Sequence, residues 1–228
     1  MTYRTGARAI TKTLGGGMWC GTYGLVRCPT HEDRKPSKLE PDAQQFARID
    51  AALSLWRQSI PLKNTLGQRY FVERRGLHVG LLNLDHALRW HHGINAVAAL
   101  MTNPVTNEPC GIHRTFLAPD ATKITRKMLG RQGVICLSSE QDVTEGLGIV
   151  EGVEDGLSVL LSGWQPIWCA TSAGAIESFP VLSGIESLTV FADTDAMGMR
   201  AAQACAARWT DAGREARLSP SGALAHAG

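Results

Sequence analysis

The sequence predicts an α/β protein, a parallel sheet flanked by helices, preceded by a smaller α+β domain. Two apolar runs in the second half carry this prediction. Leu147-Gly148-Ile149-Val150 ends at Glu151-Gly152-Val153-Glu154-Asp155, and Leu188-Thr189-Val190-Phe191-Ala192 ends at Asp193-Thr194-Asp195. Short runs rich in Val and Ile, closed by Gly or Asp and followed by helix formers, are the pattern of buried parallel strands feeding helices. Both acidic clusters therefore belong at carboxyl ends of strands, where open α/β sheets place their sites.

Charge is the third observation. Residues 1–131 carry 19 Lys and Arg against 9 Asp and Glu, while residues 132–228 carry 4 against 12, behind a net charge of only +2. A basic front joined to an acidic back suits a protein that holds a polyanion in one part and metal ions in the other. The plainer alternative is a solvated basic surface. With no long apolar run and no signal-peptide pattern, the chain is expected to be soluble, cytoplasmic and away from membranes. Its six Cys are scattered, unlike a secreted disulfide scaffold, and Cys136, Cys169 and Cys205 read as reduced core residues.

Residues 1–40 are Gly-rich and basic and contain Cys28-Pro29-Thr30-His31. A Cys and a His two residues apart can clamp one Zn²⁺ across a tight turn. A second ligand pair is missing, since the next cysteine is Cys110, and Cys20 offers only a third ligand. Residues 41–140 form the basic α+β region. Asp42 reads as the N-cap of a helix marked by Phe46, Ile49, Leu53 and Trp56. Pro61 breaks it, and a second helix is expected from Asn64 to Arg75, ended by Gly76. It carries Arg69, Arg74 and Arg75, which suit phosphate oxygens, and Tyr70, which reads either as a stacking surface for a base or as core.

His91 and His92 diverge on a strand or a helix alike, so they read as non-ligands. Ala96–Met101 and Gly111–Leu117 read as two strands of a hairpin. Alternation places Ile112, Arg114 and Phe116 on one face and His113 and Thr115 on the other. An arginine among apolar neighbours needs a partner, either a phosphate or a protein acceptor, so Arg114 is a candidate. His113 reads as structural. The cation-dense segment 120–131, with Lys123, Arg126, Lys127 and Arg131, reads as a phosphate-binding surface or a solvated basic loop.

Residues 141–219 then alternate strand and helix. Helices are expected at 154–161, at 172–179 and at 196–212, with further strands at 167–170 and 215–218. Residues 220–228 read as a disordered tail. Asp193 and Asp195, two apart in an extended segment, can turn their carboxylates to one side as hard ligands for Mg²⁺ or Mn²⁺. Glu151 would face them from the other strand end. The competing reading is that these acids merely cap helices.

This stretch resembles the Toprim domain, a Rossmann-like fold shared by bacterial-type primases, topoisomerases and some nucleases. The resemblance rests on Glu151-Gly152, Asp155 four residues on, and Asp193-x-Asp195-x-x-Gly198. It implies a catalytic set of Glu151, Asp193 and Asp195, with Asp155 as an accessory metal acid. Glu154 is similar to the Glu-Gly-x-Glu form of primase-like proteins of phages, plasmids and mobile elements. Leu55-Trp56, Pro61-Leu62, Tyr70, Arg75-Gly76, Leu88–His91 and Gly111–Thr115 resemble segments of that family, and Cys28–His31 resembles half of a primase zinc ribbon.

The resemblance implies primer synthesis on single-stranded DNA from nucleoside triphosphates. No phosphate-binding Gly-x-x-x-x-Gly-Lys-Ser/Thr loop is present, so unwinding would fall to a partner helicase. A Toprim nuclease would use the same acids on water. The shortened ribbon, and a family strand and helix lacking after residue 219, also fit a non-catalytic nucleic-acid-binding remnant.

Overall fold

A computed structural model describes residues 17–20, 23–26 and 39–220. The chain divides into two compact units, Met1–Asp42 and Ala43–Gly228. In the first, β1 (Gly17–Cys20) pairs antiparallel with β2 (Tyr23–Val26). The candidate zinc pair, Cys28 and His31, lies outside the described residues, as do residues 221–228 of the expected tail.

Helix α1 (Leu39–Gln58) starts three residues before Asp42, which is therefore inside the helix and does not cap it. Its buried Ala52 and Trp56 pack on Ala98 and Ile112. The helix ends before β3 (Ile60–Pro61), where proline removes a backbone donor. Next comes α2 (Leu66–Arg69), whose N-cap is Thr65, accepting from the Gln68 amide at 3.3 Å. It widens into a π-turn over Tyr70–Arg74, so the helix expected over 64–75 is a shorter, two-part element.

An antiparallel sheet follows, from β4 (Leu88–His91), β5 (Ala96–Thr102), β6 (Pro109–Leu117) and β7 (Lys123–Gly130), in the order β3-β4-β5-β6-β7. The hairpin of β5 and β6 matches the expected one. The basic segment is neither a loop nor free of pairing, because β7 runs beside β6 along its length. Its register sets two faces. Val97, Thr115 and Arg126 align on one, and Ala98, Arg114 and Lys127 on the next row, which points the opposite way.

The second sheet contains β8 (Ile135–Cys136), β9 (Gly146–Val150), β10 (Ile167–Cys169), β11 (Ser187–Ala192) and β12 (Glu215–Pro220). Its order is β12-β11-β9-β10-β8, parallel except for β8. Helices α3 (Val153–Leu161), α4 (Ala173–Glu177) and α5 (Ala196–Asp211) join the parallel strands. Strands β9 to β12 and the three helices match those that the sequence predicts, whereas β8, from the region assigned to the preceding α+β domain, has no counterpart among them. Pro220, assigned to the tail, closes β12 instead.

The parallel strands are apolar on both faces because both are covered. On one face, Ile149, Trp168, Leu188 and Val190 pack with Ala201, Ala202, Cys205 and Trp209 of α5. On the other, Val150, Ile167 and Phe191 join Leu157 of α3 and Leu88, Trp90, Val97 and Met101 of the antiparallel sheet. The two sheets therefore share one core, which fixes β6 and β7 relative to the ends of β9 and β11. Cys110, Cys169 and Cys205 are buried, reduced thiols. Among the described residues no helix is long and apolar enough to cross a membrane.

Trp209 is fully buried, its ring stacked on Phe179 at 6.1 Å between centroids and 5° between planes. Trp209→Ala is expected to lower stability by about 3–5 kcal/mol. Urea unfolding followed by circular dichroism checks this, and an unshifted midpoint would contradict the packing.

Candidate functional site

β9 and β11 are neighbours in register, Val150 beside Phe191, so Glu151 and Asp193 leave the sheet side by side. Two glycines let the acids close in. A Cβ on Gly152 would strike the Asp155 carboxylate, so only glycine lets Asp155 fold back from the first turn of α3. A Cβ on Gly198 would lie 2.9 Å from both the Cβ and the carbonyl oxygen of Asp193, which explains the glycine three residues after Asp195. Asp195 is the N-cap of α5, accepting from the Gly198 amide at 2.7 Å. The capping reading thus holds for one oxygen of Asp195.

A cavity of about 290 Å³ opens in front of these acids. Glu151, Gly152, Asp155, Asp193 and Thr171 line one wall, and His113 with Arg126, Lys127 and Met128 of β7 line the other. Thr171 has φ of +73°, a left-handed conformation that β-branched residues rarely adopt. Its amide donates to the Glu151 carbonyl at 3.0 Å, and the Cys169 thiol donates to the same oxygen at 2.8 Å. The ends of β9 and β10 are thereby tied together under the carboxylates.

Burial, followed by the charges of Asp193 and Asp195, holds the Glu151 carboxyl above its ordinary range, with Arg126 opposing. Burial and then Asp193 and Glu154 raise Asp155 as well. Across the cavity, burial and then Arg126 push the His113 imidazole down to about 4, so it is neutral at pH 7.

Glu154, between the two acids in sequence, turns the other way. It accepts from the Tyr70 hydroxyl at 2.6 Å and lies 3.6 Å from Lys123, 3.7 Å from Arg75 and 3.9 Å from Arg126. Burial works to raise its pKa, but the Tyr70 hydroxyl, its own backbone amide and the Lys123 and Arg126 charges outweigh that and hold it below the ordinary range. Burial and the Glu154 carboxylate push Tyr70 up to about 12. Tyr70 is 1% exposed, which overturns the stacking-surface reading and leaves the core one.

The other basic candidates spread out. Arg69 pairs with Glu73 at 3.1 Å, and Arg74 bonds the Asp120 carbonyl at 2.7 Å. Arg114 sits in the row that points away from the acids, donates to the Met128 carbonyl at 3.2 Å and lies over the Phe116 ring. Arg131 is exposed just beyond β7. The structure thus brings Arg126 to the acids, places Lys123 and Arg75 beside it around Glu154, and leaves Arg69, Arg74, Arg114 and Arg131 elsewhere, while Lys127 borders the cavity from the outward row it shares with Arg114. His113 and Thr171 are the cavity residues that sequence reasoning missed. Alternation already gave His113 a face, but the positive φ of Thr171 has no signature in the sequence.

Among the described residues no three His, Cys, Asp or Glu side chains gather as a ready metal cage. The donor set nonetheless fits a hard divalent cation. Carboxylates that raise one another's pKa at adjoining strand ends are relieved when a cation sits between them.

With this geometry in place, comparison with known proteins decides the second half of the chain. The family model described as Toprim domain matches residues 146–225. These residues are a Toprim domain. A second model, described only as a domain of unknown function (DUF7146), matches residues 47–134. No curated protein matches the chain. Among solved structures, the zinc-binding and RNA polymerase domains of Aquifex aeolicus primase are similar at 14% identity and a TM-score of 0.47, over 94% of this chain and 76% of that one. The DnaG primase catalytic domain bound to ssDNA is similar at 15% identity and a TM-score of 0.49, over 78% and 72%. The primase fragment of the bacteriophage T7 primase-helicase gives 16% and 0.43, over 57% and 56%.

Capping and metal binding separate experimentally at Asp195 of the Toprim domain. Asn caps helices as well as Asp does, whereas Ala loses about 1 kcal/mol. Asp195→Asn is expected to keep the parent's unfolding midpoint and Asp195→Ala to lower it, while both weaken Mg²⁺ binding in calorimetry. Undiminished Mg²⁺ binding in both variants would leave Asp195 as a cap alone.

Proposed function

We propose that the protein synthesises primers on single-stranded DNA by divalent-metal-dependent nucleotidyl transfer. The observation that carries this reading is the single cavity with Glu151, Asp155 and Asp193 on one wall and Arg126 on the other, Lys123 and Arg75 being grouped beside it around Glu154. A reacting phosphate needs both, anionic groups to hold a cation and cationic groups to hold its oxygens.

Glu151, Asp155, Asp193 and Asp195 would hold Mg²⁺ or Mn²⁺, which supplies charge stabilisation for the transferring phosphate and a more acidic 3′ hydroxyl. Glu151 stands where it can hold the metal or take the proton of that hydroxyl. Arg126, Lys123 and Arg75 orient the nucleoside triphosphate and the template backbone, and the neutral His113 offers a hydrogen bond without adding charge. DNA unwinding falls to a partner helicase.

The Asp193→Ala, Asp195→Ala double variant is expected to lose primer synthesis on single-stranded DNA, assayed with labelled nucleoside triphosphates and Mg²⁺ or Mn²⁺, while retaining DNA binding. Undiminished synthesis would overturn the assignment. Cleavage of DNA by the parent without added nucleotides would replace primer synthesis by phosphodiester hydrolysis.

A further inference from the structure

The arrangement around Glu154 is unusual for an ion-pair hub. Its one short bond is to a neutral partner, the Tyr70 hydroxyl at 2.6 Å, while its three cations stay at 3.6 to 3.9 Å. Direct bonds between a cation and a carboxylate run to about 2.7–2.9 Å. The donors of Arg75, Lys123 and Arg126 are thus aligned by the carboxylate without being saturated by it.

A relay fixes the centre of this cluster. Arg75 Nε donates to the Tyr70 hydroxyl at 3.0 Å, Tyr70 donates to Glu154, and the Arg75 guanidinium lies 5.5 Å from the centre of the Tyr70 ring. Tyr70 is anchored in the shared core, and Glu154 sits on the first turn of α3, directly before Asp155. One carboxylate among three cations leaves an excess of two positive charges. The cation side chains keep exposures of 38% for Arg75, 26% for Lys123 and 47% for Arg126, so the cluster is open to solvent. Arg126 belongs both to this cluster and to the wall facing Glu151 and Asp193.

We propose that Glu154 is a positioning residue that presents Arg75, Lys123 and Arg126 as a preorganised seat for the phosphate chain of a nucleoside triphosphate, and that it contributes no ligand to the metal. This rests on the nucleotidyl-transfer reading. The adjoining acids of Glu151-Gly152-Val153-Glu154-Asp155 then divide by direction, Glu151 and Asp155 toward the metal side and Glu154 toward the substrate's phosphates. A compact triphosphate depends on the geometry of its cations, whereas single-stranded DNA in an open groove responds mainly to their number.

Equilibrium binding of a fluorescent ATP, of a labelled oligothymidylate and of Mg²⁺ alone tests this without requiring synthesis. Glu154→Gln keeps the shape and an acceptor for Tyr70 but removes the charge that aligns the cations. It is expected to bind ATP about tenfold more weakly, to bind the oligothymidylate as tightly as the parent or tighter with a steeper salt dependence, and to bind Mg²⁺ unchanged. Lys123→Met should weaken both ATP and oligothymidylate. If E154Q does not fold, Tyr70→Phe removes the short bond to Glu154 and is expected to give the same split.

ATP binding equal to or tighter than the parent's, an equal loss for both anions, or weakened Mg²⁺ binding would each overturn the positioning role. A parent that binds no ATP would overturn the nucleotidyl-transfer reading along with it, whereas a parent that binds ATP as tightly as E154Q does would overturn the positioning role alone.

Discussion

The burial of the Glu154 carboxylate against Tyr70 governs how the two sheets work together. A carboxylate with only 18% of its side chain exposed is costly unless it is bonded and balanced by charge. Tyr70 comes from the π-turn, Arg75 from its end, Lys123 and Arg126 from β7, and Glu154 from α3. Satisfying one group therefore draws three elements to one point. Apolar packing of Val150, Leu157 and Phe191 against Leu88, Trp90 and Val97 is non-directional and brings the sheets into contact. The polar hub selects which part of β7 faces the strand ends.

That constraint explains why the acids sit under mutual repulsion. Glu151 and Asp193 are carried on adjacent parallel strands, and Gly152 and Gly198 remove the side chains that would hold Asp155 and the start of α5 away. The result is a set of carboxylates in which burial and like charge both disfavour ionisation. A fold chosen for stability alone has no reason to gather them. Asp195 shows how the arrangement is made compatible with folding, since one of its oxygens caps α5 at 2.7 Å and so contributes to the helix that positions it. Capping and ligation are therefore not exclusive readings of the same residue.

The parallel sheet was legible in the sequence because its inner strands β9 and β11 are largely buried on both faces, so Leu147–Val150 and Leu188–Ala192 stand out as apolar runs that end in Glu or Asp. The antiparallel sheet was legible only in part. The β5 and β6 hairpin showed through alternation, but the segment around Lys123–Met128 reads only as a phosphate-binding surface or a solvated basic loop, not as a strand, because β7 is an edge strand with none of its residues buried. Periodicity sees burial, and an edge strand rich in cations has little to show. The acids were found by type and spacing. The partition of Arg114 and Arg126 was not, because they occupy opposite faces of the antiparallel sheet, and that follows from a pairing register that no local stretch encodes. Tyr70 was left between base stacking and core for the same reason: its partner, Glu154, is 84 residues away.

The charge asymmetry of the chain acquires a physical meaning once the register is known. Among the described residues of the basic front, Arg69 is paired with Glu73 and Arg74 with Asp120. The part that bears on the site is small, Arg126 at the cavity with Lys123 and Arg75 behind it. Facing them are Glu151, Asp155 and Asp193, with no ion pair between Glu151 and those cations among the described residues. Glu154 draws Lys123 and Arg126 toward itself from the side of the cavity. Under the proposed nucleotidyl transfer, a phosphate chain carrying divalent cations would meet the arrangement in both signs, its oxygens toward Arg126 and its metal toward the strand-end acids. A simple anion or a bare cation would meet one wall only, so the proposal rests on the two walls together rather than on the acids alone.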